Sequence, residues 1–215
     1  MVTRSRGRGR PPGPGVDPSA RRAALMSAAE NAISEQGDAF AMADVAARAG
    51  FTRSAVYAMF RDKDDLVDEI VRRHTARIVE QMDAVVAGVG DARERTRALV
   101  DVLVGWADDD PTLALTLIPR MQSFTGETVA VADHVEALLA AGFTELGAST
   151  RPAASWSRAL LGAVVGAVGW WARGRVRGRS TLGRDDLVDD LTALIWSGFA
   201  GAGGARLNFP PGEGP

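Results

Sequence analysis

Apolar residues return every three or four positions along most of this chain, and no stretch keeps a period-two alternation, which predicts an all-α body. Asp17-Pro18 reads as a cap followed by proline at the first helical position. The helix it opens runs to about Gln36, with Leu25, Ala28, Ala29, Ala32 and Ile33 on one face and Gly37 ending it. Asp62 caps a second long helix starting at Lys63, with Leu66, Ile70, Ile78, Met82 and Val85 as its buried stripe and Gly88 and Gly90 as its stop. Further helices are expected over 92–107, 112–123, 127–146, 153–173 and 184–200. Breaks are expected at Pro111, Gly126, 147–152 and 178–183.

Between the two long helices, Met42 to Phe60 reads as two short helices around a sharp turn. Val45, Ala46 and Ala49 form the inner face of the first, and Ala46 is small where the pair must approach closely. Gly50 can take the left-handed conformation at the turn. Phe51 then points inward, Thr52 caps the second helix, and Val56, Met59 and Phe60 complete its buried side. Arg53, Ser54, Tyr57 and Ala58 are left outward. One cation, two hydroxyls and a small apolar residue suit a helix lying in a DNA major groove. Arg53 can reach a phosphate or a guanine edge, Ser54 the bases, Tyr57 a phosphate, and Ala58 a thymine methyl. Lys63, the only lysine of the chain, adds its charge to free backbone N–H groups at a helix start.

Charge sharpens the picture. The net charge is −2, but residues 1–16 hold Arg4, Arg6, Arg8 and Arg10 and no acid, so a basic arm precedes an acidic body. Arg8-Gly9-Arg10-Pro11 resembles the core of an AT-hook, in which arginines follow a narrow minor groove; the alternative is a tail attracted to phosphates without sequence preference. There is no cysteine, which removes disulfides, thiol nucleophiles and cysteine-bound metal. His74 and His134 stand far apart, no glycine-rich phosphate loop follows a strand, and no serine has a distinctive setting. Asp108-Asp109-Asp110 reads as a solvated helix end. No enzyme, metal or cofactor is expected. The 14-residue apolar run 159–172 falls short of the roughly 20 a membrane span needs, and the start lacks a signal-peptide pattern, so the expected location is the cytoplasm.

From Arg22 to about Ile70 the chain resembles the DNA-binding domain of the TetR (tetracycline-repressor) family. The likeness is carried by Ala28-Ala29, Gly37, the run Asp44 to Tyr57, Phe60 and Asp62 to Leu66. It implies nine helices: three N-terminal ones for DNA and six for ligand binding and dimerisation. Carried across, it implies DNA contacts at Thr52, Arg53, Ser54, Tyr57, Ala58 and Lys63. Ala41 departs from the pattern, standing where a capping Ser or Thr is usual, and the loop after Gly37 is one residue short.

The remainder is read through the same resemblance. Trp106, Leu117, Met121 and Phe124 fall where the family lines a small-molecule pocket, although each also suits plain helix packing. His74 reads as a satisfied core residue, or as a polar anchor if it faces a cavity. Gly162, Val165 and Gly166 with Leu191 and Ile195 resemble the dimer-forming helix pair; packing within one chain is the alternative. The expected divisions are a basic arm 1–16, a helix-turn-helix domain 17–62, a ligand-binding and dimerisation domain 63–200 and a tail 201–215. The expected function is a homodimeric repressor released from a palindromic operator by a small, apolar effector. The rival readings are a low-specificity architectural DNA binder ruled by the arm, and a helical carrier of small molecules.

Overall fold

The computed structural model describes residues 17–122, 129–145 and 147–197. Among them are nine α-helices and no strand: α1 (Pro18–Gln36), α2 (Met42–Ala49), α3 (Arg53–Tyr57), α4 (Lys63–Gly88), α5 (Ala92–Asp109), α6 (Pro111–Gln122), α7 (Val129–Glu145), α8 (Ala153–Val176) and α9 (Arg184–Ser197), with one 3₁₀ turn at Gly37–Ala39. The fold is all-α, an N-terminal helix-turn-helix followed by a helical C-terminal part. Its helix starts follow local chemistry. Asp17 accepts from Ser19 N, Asp62 from Asp65 N at 2.8 Å, and Asp91 from Arg93 and Glu94 N at 2.9 and 2.8 Å, each satisfying donors that the first helical turn leaves free.

Two hydrophobic clusters divide the interior. One joins Leu25 and Ile33 of α1, Val45 of α2, Val56 and Phe60 around α3, Ile70 of α4 and Leu117 of α6. The other joins Met82 at the far end of α4 with Val104 of α5, Ile118 of α6, Trp171 of α8 and Leu187 and Leu191 of α9. Helices α4 and α6 take part in both, and Trp106 and Met121 pack against both.

Three details depart from the expected pattern. Pro111 opens α6 rather than interrupting the chain: proline needs no N–H partner at a first helical position, and Asp110 Oδ1 accepts from Leu113 N at 2.9 Å. The acidic run is therefore engaged rather than solvated. Asp110 Oδ2 also receives the Ser34 hydroxyl of α1, and Asp108 pairs with Arg175 at 2.8 Å. Finally, α8 continues to Val176, because its closing turn is completed further on by Gly178 (φ 62°), with Arg179 N bonded to Gly174 O at 2.8 Å. No described helix is long and apolar enough to cross a membrane.

Candidate nucleic-acid interface and effector cavity

The turn between α2 and α3 depends on Gly50. It sits at φ 70° and ψ 26°, and Phe51 N reaches back to Ala46 O at 2.9 Å. Ala41, with no side-chain acceptor, leaves α2 half capped; the Asp44 carboxylate accepts from Ala41 N at 3.1 Å. A bidentate Arg48–Glu35 pair fastens α2 to α1. Val56 and Phe60 are buried beneath α3. Arg53, Ser54, Tyr57 and Ala58 face solvent together, and Arg53 has no ion-pair partner among the described residues. Tyr57 is 53% exposed, which leaves an aromatic hydroxyl free on the outer face. Thr52 Oγ1 accepts from Ala55 N at 3.2 Å, so its hydroxyl proton remains available to a phosphate.

Lys63 is placed differently from the sequence expectation. Its ammonium bonds the carbonyl of Asp38, lies 3.3 Å from Asp38 Oδ1 and sits 4.4 Å above the centre of the Phe40 ring. It clamps the loop before α2 to the start of α4 instead of standing free, and a phosphate would share it with Asp38. Arg8 and Arg10 lie outside the described residues.

A half-open cavity of about 330 Å³ lies among α4, α5, α7, α8 and α9. Met82, Leu99, Leu139, Leu161 and Ile195 represent the five helices on its wall. Its charged members are Arg95 and Glu145, and Arg95 has no ion-pair partner among the described residues. None of His74, Trp106, Leu117 and Met121 lines this space. Leu117 is fully buried in the N-terminal cluster, where α6 seals the junction of the two cores. Phe124 lies outside the described residues. The missed signal was in α7, where Val135, Leu138 and Leu139 extend the apolar surface beyond one core stripe, as a helix with a second apolar neighbour requires.

His74 sits in a buried relay instead. Trp106 Nε1 donates to His74 Nδ1 at 3.0 Å, which leaves Nε2 as the donor to Glu30 Oε1 at 3.2 Å. The relay joins α5 and α4 to α1. Burial acts to raise the Glu30 pKa, but the His74 hydrogen bond and the charges of Arg73, 3.6 Å away, and Arg77 outweigh it and hold the carboxyl below its ordinary 4.5. The ionised form is favoured by folding, so this contribution is complete above about pH 4.5 and is lost as the pH falls through the lowered value. Urea titrations across pH 3–6 should therefore show an acid-side loss of stability that is shallower in Glu30→Gln; identical slopes would refute the coupling.

The dimer candidates separate in the same way. Gly162 and Gly166 are exposed, and a methyl group added at either would meet open space, with no atom within 4 Å. Val165 is half-buried against the second cluster. Leu191 is buried in that cluster and Ile195 lines the cavity. The spacing of these last two marks the inner stripe of α9; its outer stripe carries Asp186, Asp190 and Leu194.

The sequence profile described as "Bacterial regulatory proteins, tetR family" matches residues 25–70, the span from α1 into α4 that holds this turn and its outward face. Residues 25–70 therefore carry a TetR-type DNA-binding domain. An uncharacterized HTH-type transcriptional regulator of Mycobacterium tuberculosis is 26% identical over 198 residues, 88% of this chain and 82% of that protein. Among solved structures, the fatty acid degradation regulator FadR from Bacillus halodurans superposes with a TM-score of 0.66 at 18% identity, covering 84% of this chain and 95% of its own. A TetR-like transcriptional regulator from Rhodococcus sp. RHA1 gives 0.63 at 23% identity, with 86% and 99% covered. FadR from Bacillus subtilis, in complex with stearoyl-CoA, gives 0.64 at 16% identity, with 82% and 98% covered. These likenesses extend the TetR-type fold over the C-terminal helices as well. The protein is a DNA-binding transcriptional regulator with a TetR-type helix-turn-helix.

Proposed function

We propose that this TetR-family regulator is a cytoplasmic homodimeric repressor whose operator grip is released when a predominantly apolar ligand fills the cavity. The observation that carries this reading is the course of α4. The helix begins at Lys63, just after the outward face of α3, and its Met82 and Val86 form part of the cavity wall. At 26 residues it is about 39 Å long, so one rigid element touches both places. A ligand that binds better when α4 is displaced draws the molecule toward that state and weakens DNA binding by the same coupling. The size and lining of the cavity suit an aliphatic chain, and Arg95 with Thr96 at its edge suits a polar or anionic end. The stearoyl-CoA held by the Bacillus subtilis relative supports a ligand of that kind.

On this reading Thr52, Arg53, Ser54, Tyr57 and Ala58 meet DNA, with Lys63 as a shared contact. Two such faces would lie about 34–36 Å apart on a twofold-symmetric site. The test starts from selection of bound fragments out of random DNA, followed by gel shift on the selected site. A palindromic site is expected. Arg53→Ala should lower affinity by about 5- to 150-fold, the range for losing one specific arginine contact, and Tyr57→Phe by a smaller factor. Stearoyl-CoA, added as a probe, should release the bound DNA. Unchanged affinity in both variants would overturn the contact assignment, and the absence of a selected site would overturn the repressor reading.

A further inference from the structure

The connection between α8 and α9 folds back on α8 and leaves a second hollow, of about 270 Å³, bounded by Trp170, Arg173, Arg177, Arg179, Ser180 and Thr181. Its floor is held by hydrogen bonds. Trp171 Nε1 donates to Leu182 O at 2.9 Å, and Arg179 N and Ser180 N both reach Gly174 O, at 2.8 and 3.2 Å. A methyl group at Gly174 would lie 3.2 Å from Ser180 Cβ, so glycine there lets the connection close onto the helix. The charged groups on the wall are all cations; no carboxylate lines the hollow. Asp186, in the first turn of α9, accepts from Gly183 N instead.

Arginines around the hollow reach acids: Arg175 pairs with Asp108 at 2.8 Å and Arg184 with Asp101 at 2.9 Å. Arg173, Arg177 and Arg179 have neither an ion pair nor a side-chain hydrogen bond among the described residues. Cations at a helix C-terminus ordinarily answer its free carbonyls. Here the carbonyls of Arg173, Gly174 and Arg175 are already taken, by the N–H groups of residues 177 to 180. Three like charges on one concave wall repel one another, and an anion in the hollow turns that cost into attraction. We propose that the hollow is a binding site for a small phosphorylated ligand carrying a flat ring, the chemistry of a mononucleotide. Guanidinium groups match phosphate oxygens with paired N–H donors, and the exposed Thr181 adds a hydroxyl. Trp170, 60% exposed on the wall, offers an aromatic face to the ring. The volume lies just below the range of about 300–1,000 Å³ usual for ligand cavities, which admits one nucleotide rather than two. The site is separate from the apolar cavity, with which it shares no lining residue, and from the outward face of α3.

Isothermal titration calorimetry of the full chain at low salt, with ADP as the probe, tests the proposal. One ADP per chain is expected, with adenosine and inorganic pyrophosphate each binding about tenfold more weakly or worse. Arg177→Gln with Arg179→Gln should raise the ADP dissociation constant about tenfold or more, through the loss of charge-assisted bonds. Trp170→Ala should bring ADP affinity down toward that of pyrophosphate and leave pyrophosphate binding as it was. Circular dichroism checks that the variants fold. Should the double variant fail to fold, Arg179→Gln alone, in the connection outside α8, reads the same quantity. No saturable ADP binding by the wild type, or an unchanged dissociation constant in the arginine variants, overturns the site. Pyrophosphate binding as tightly as ADP overturns the flat-ring ligand. Loss of ADP binding in Arg53→Ala, or in Arg8→Gln with Arg10→Gln, would put the anion on the DNA-facing groups and overturn the site equally.

Discussion

Replacing Trp171 by alanine should cost about 3–5 kcal/mol of stability, the range for truncating a large buried aromatic. The side chain is 1% exposed and packs in the second cluster, its indole N–H bonds Leu182 O, and the Arg175 guanidinium lies 5.3 Å from its ring centre. Truncation opens a cavity where α8, α9 and their connection meet, and strands a carbonyl partner. Urea unfolding followed by circular dichroism reads the loss. The neighbouring Trp170 is 60% exposed, so Trp170→Ala should stay within about 0.5 kcal/mol of the wild type when compared as monomers. Equal effects at the two positions would contradict the packing of α8 described above.

Phe60→Ala is the matching experiment in the other core. Phe60 is 1% exposed, closes the underside of α3 and carries the Arg22 guanidinium 4.7 Å from its ring centre. The expected cost is again about 3–5 kcal/mol, but it falls on the cluster that positions the recognition face. Because the second cluster does not contain Phe60, the variant should lose operator binding in gel shift while keeping its helical C-terminal part and its association state. The shared helices α4 and α6 set how separate the two cores are. A single unfolding transition common to both variants would mean that these helices weld the cores into one cooperative unit.

Much of the fold was legible because each long helix advertises its own ends. Asp17-Pro18 and Asp62 mark starts by local hydrogen bonding, and Gly37 and Gly50 mark stops by backbone conformation, none of which needs knowledge of tertiary contacts. The outward face of α3 was legible for a related reason: in a helix of one and a half turns, burying Val56 and Phe60 leaves Arg53, Ser54 and Tyr57 no other direction. The cavity was not legible. Periodicity shows that Leu117 and Leu139 are apolar, but whether an apolar residue meets a neighbour or a void depends on how distant helices cross. Trp106 and His74 show the same limit: their pairing across 32 positions, which satisfies two polar groups between α5 and α4, is set by how the helices cross and not by their spacing. On α9, core and interface share one spacing, and only the packed structure shows Leu191 buried in the second cluster and Ile195 on the cavity wall.

The lone lysine also has an experimental consequence. Since Lys63 is the one side-chain amine in the sequence, and since it is clasped between Asp38 and Phe40 beside α3, acylating or alkylating reagents addressed to side-chain amines strike this regulator at a single chemical handle. That handle lies at the start of α4, next to the helix-turn-helix, so the speed of its modification works as a built-in gauge of how tightly the loop before α2 is held to α4.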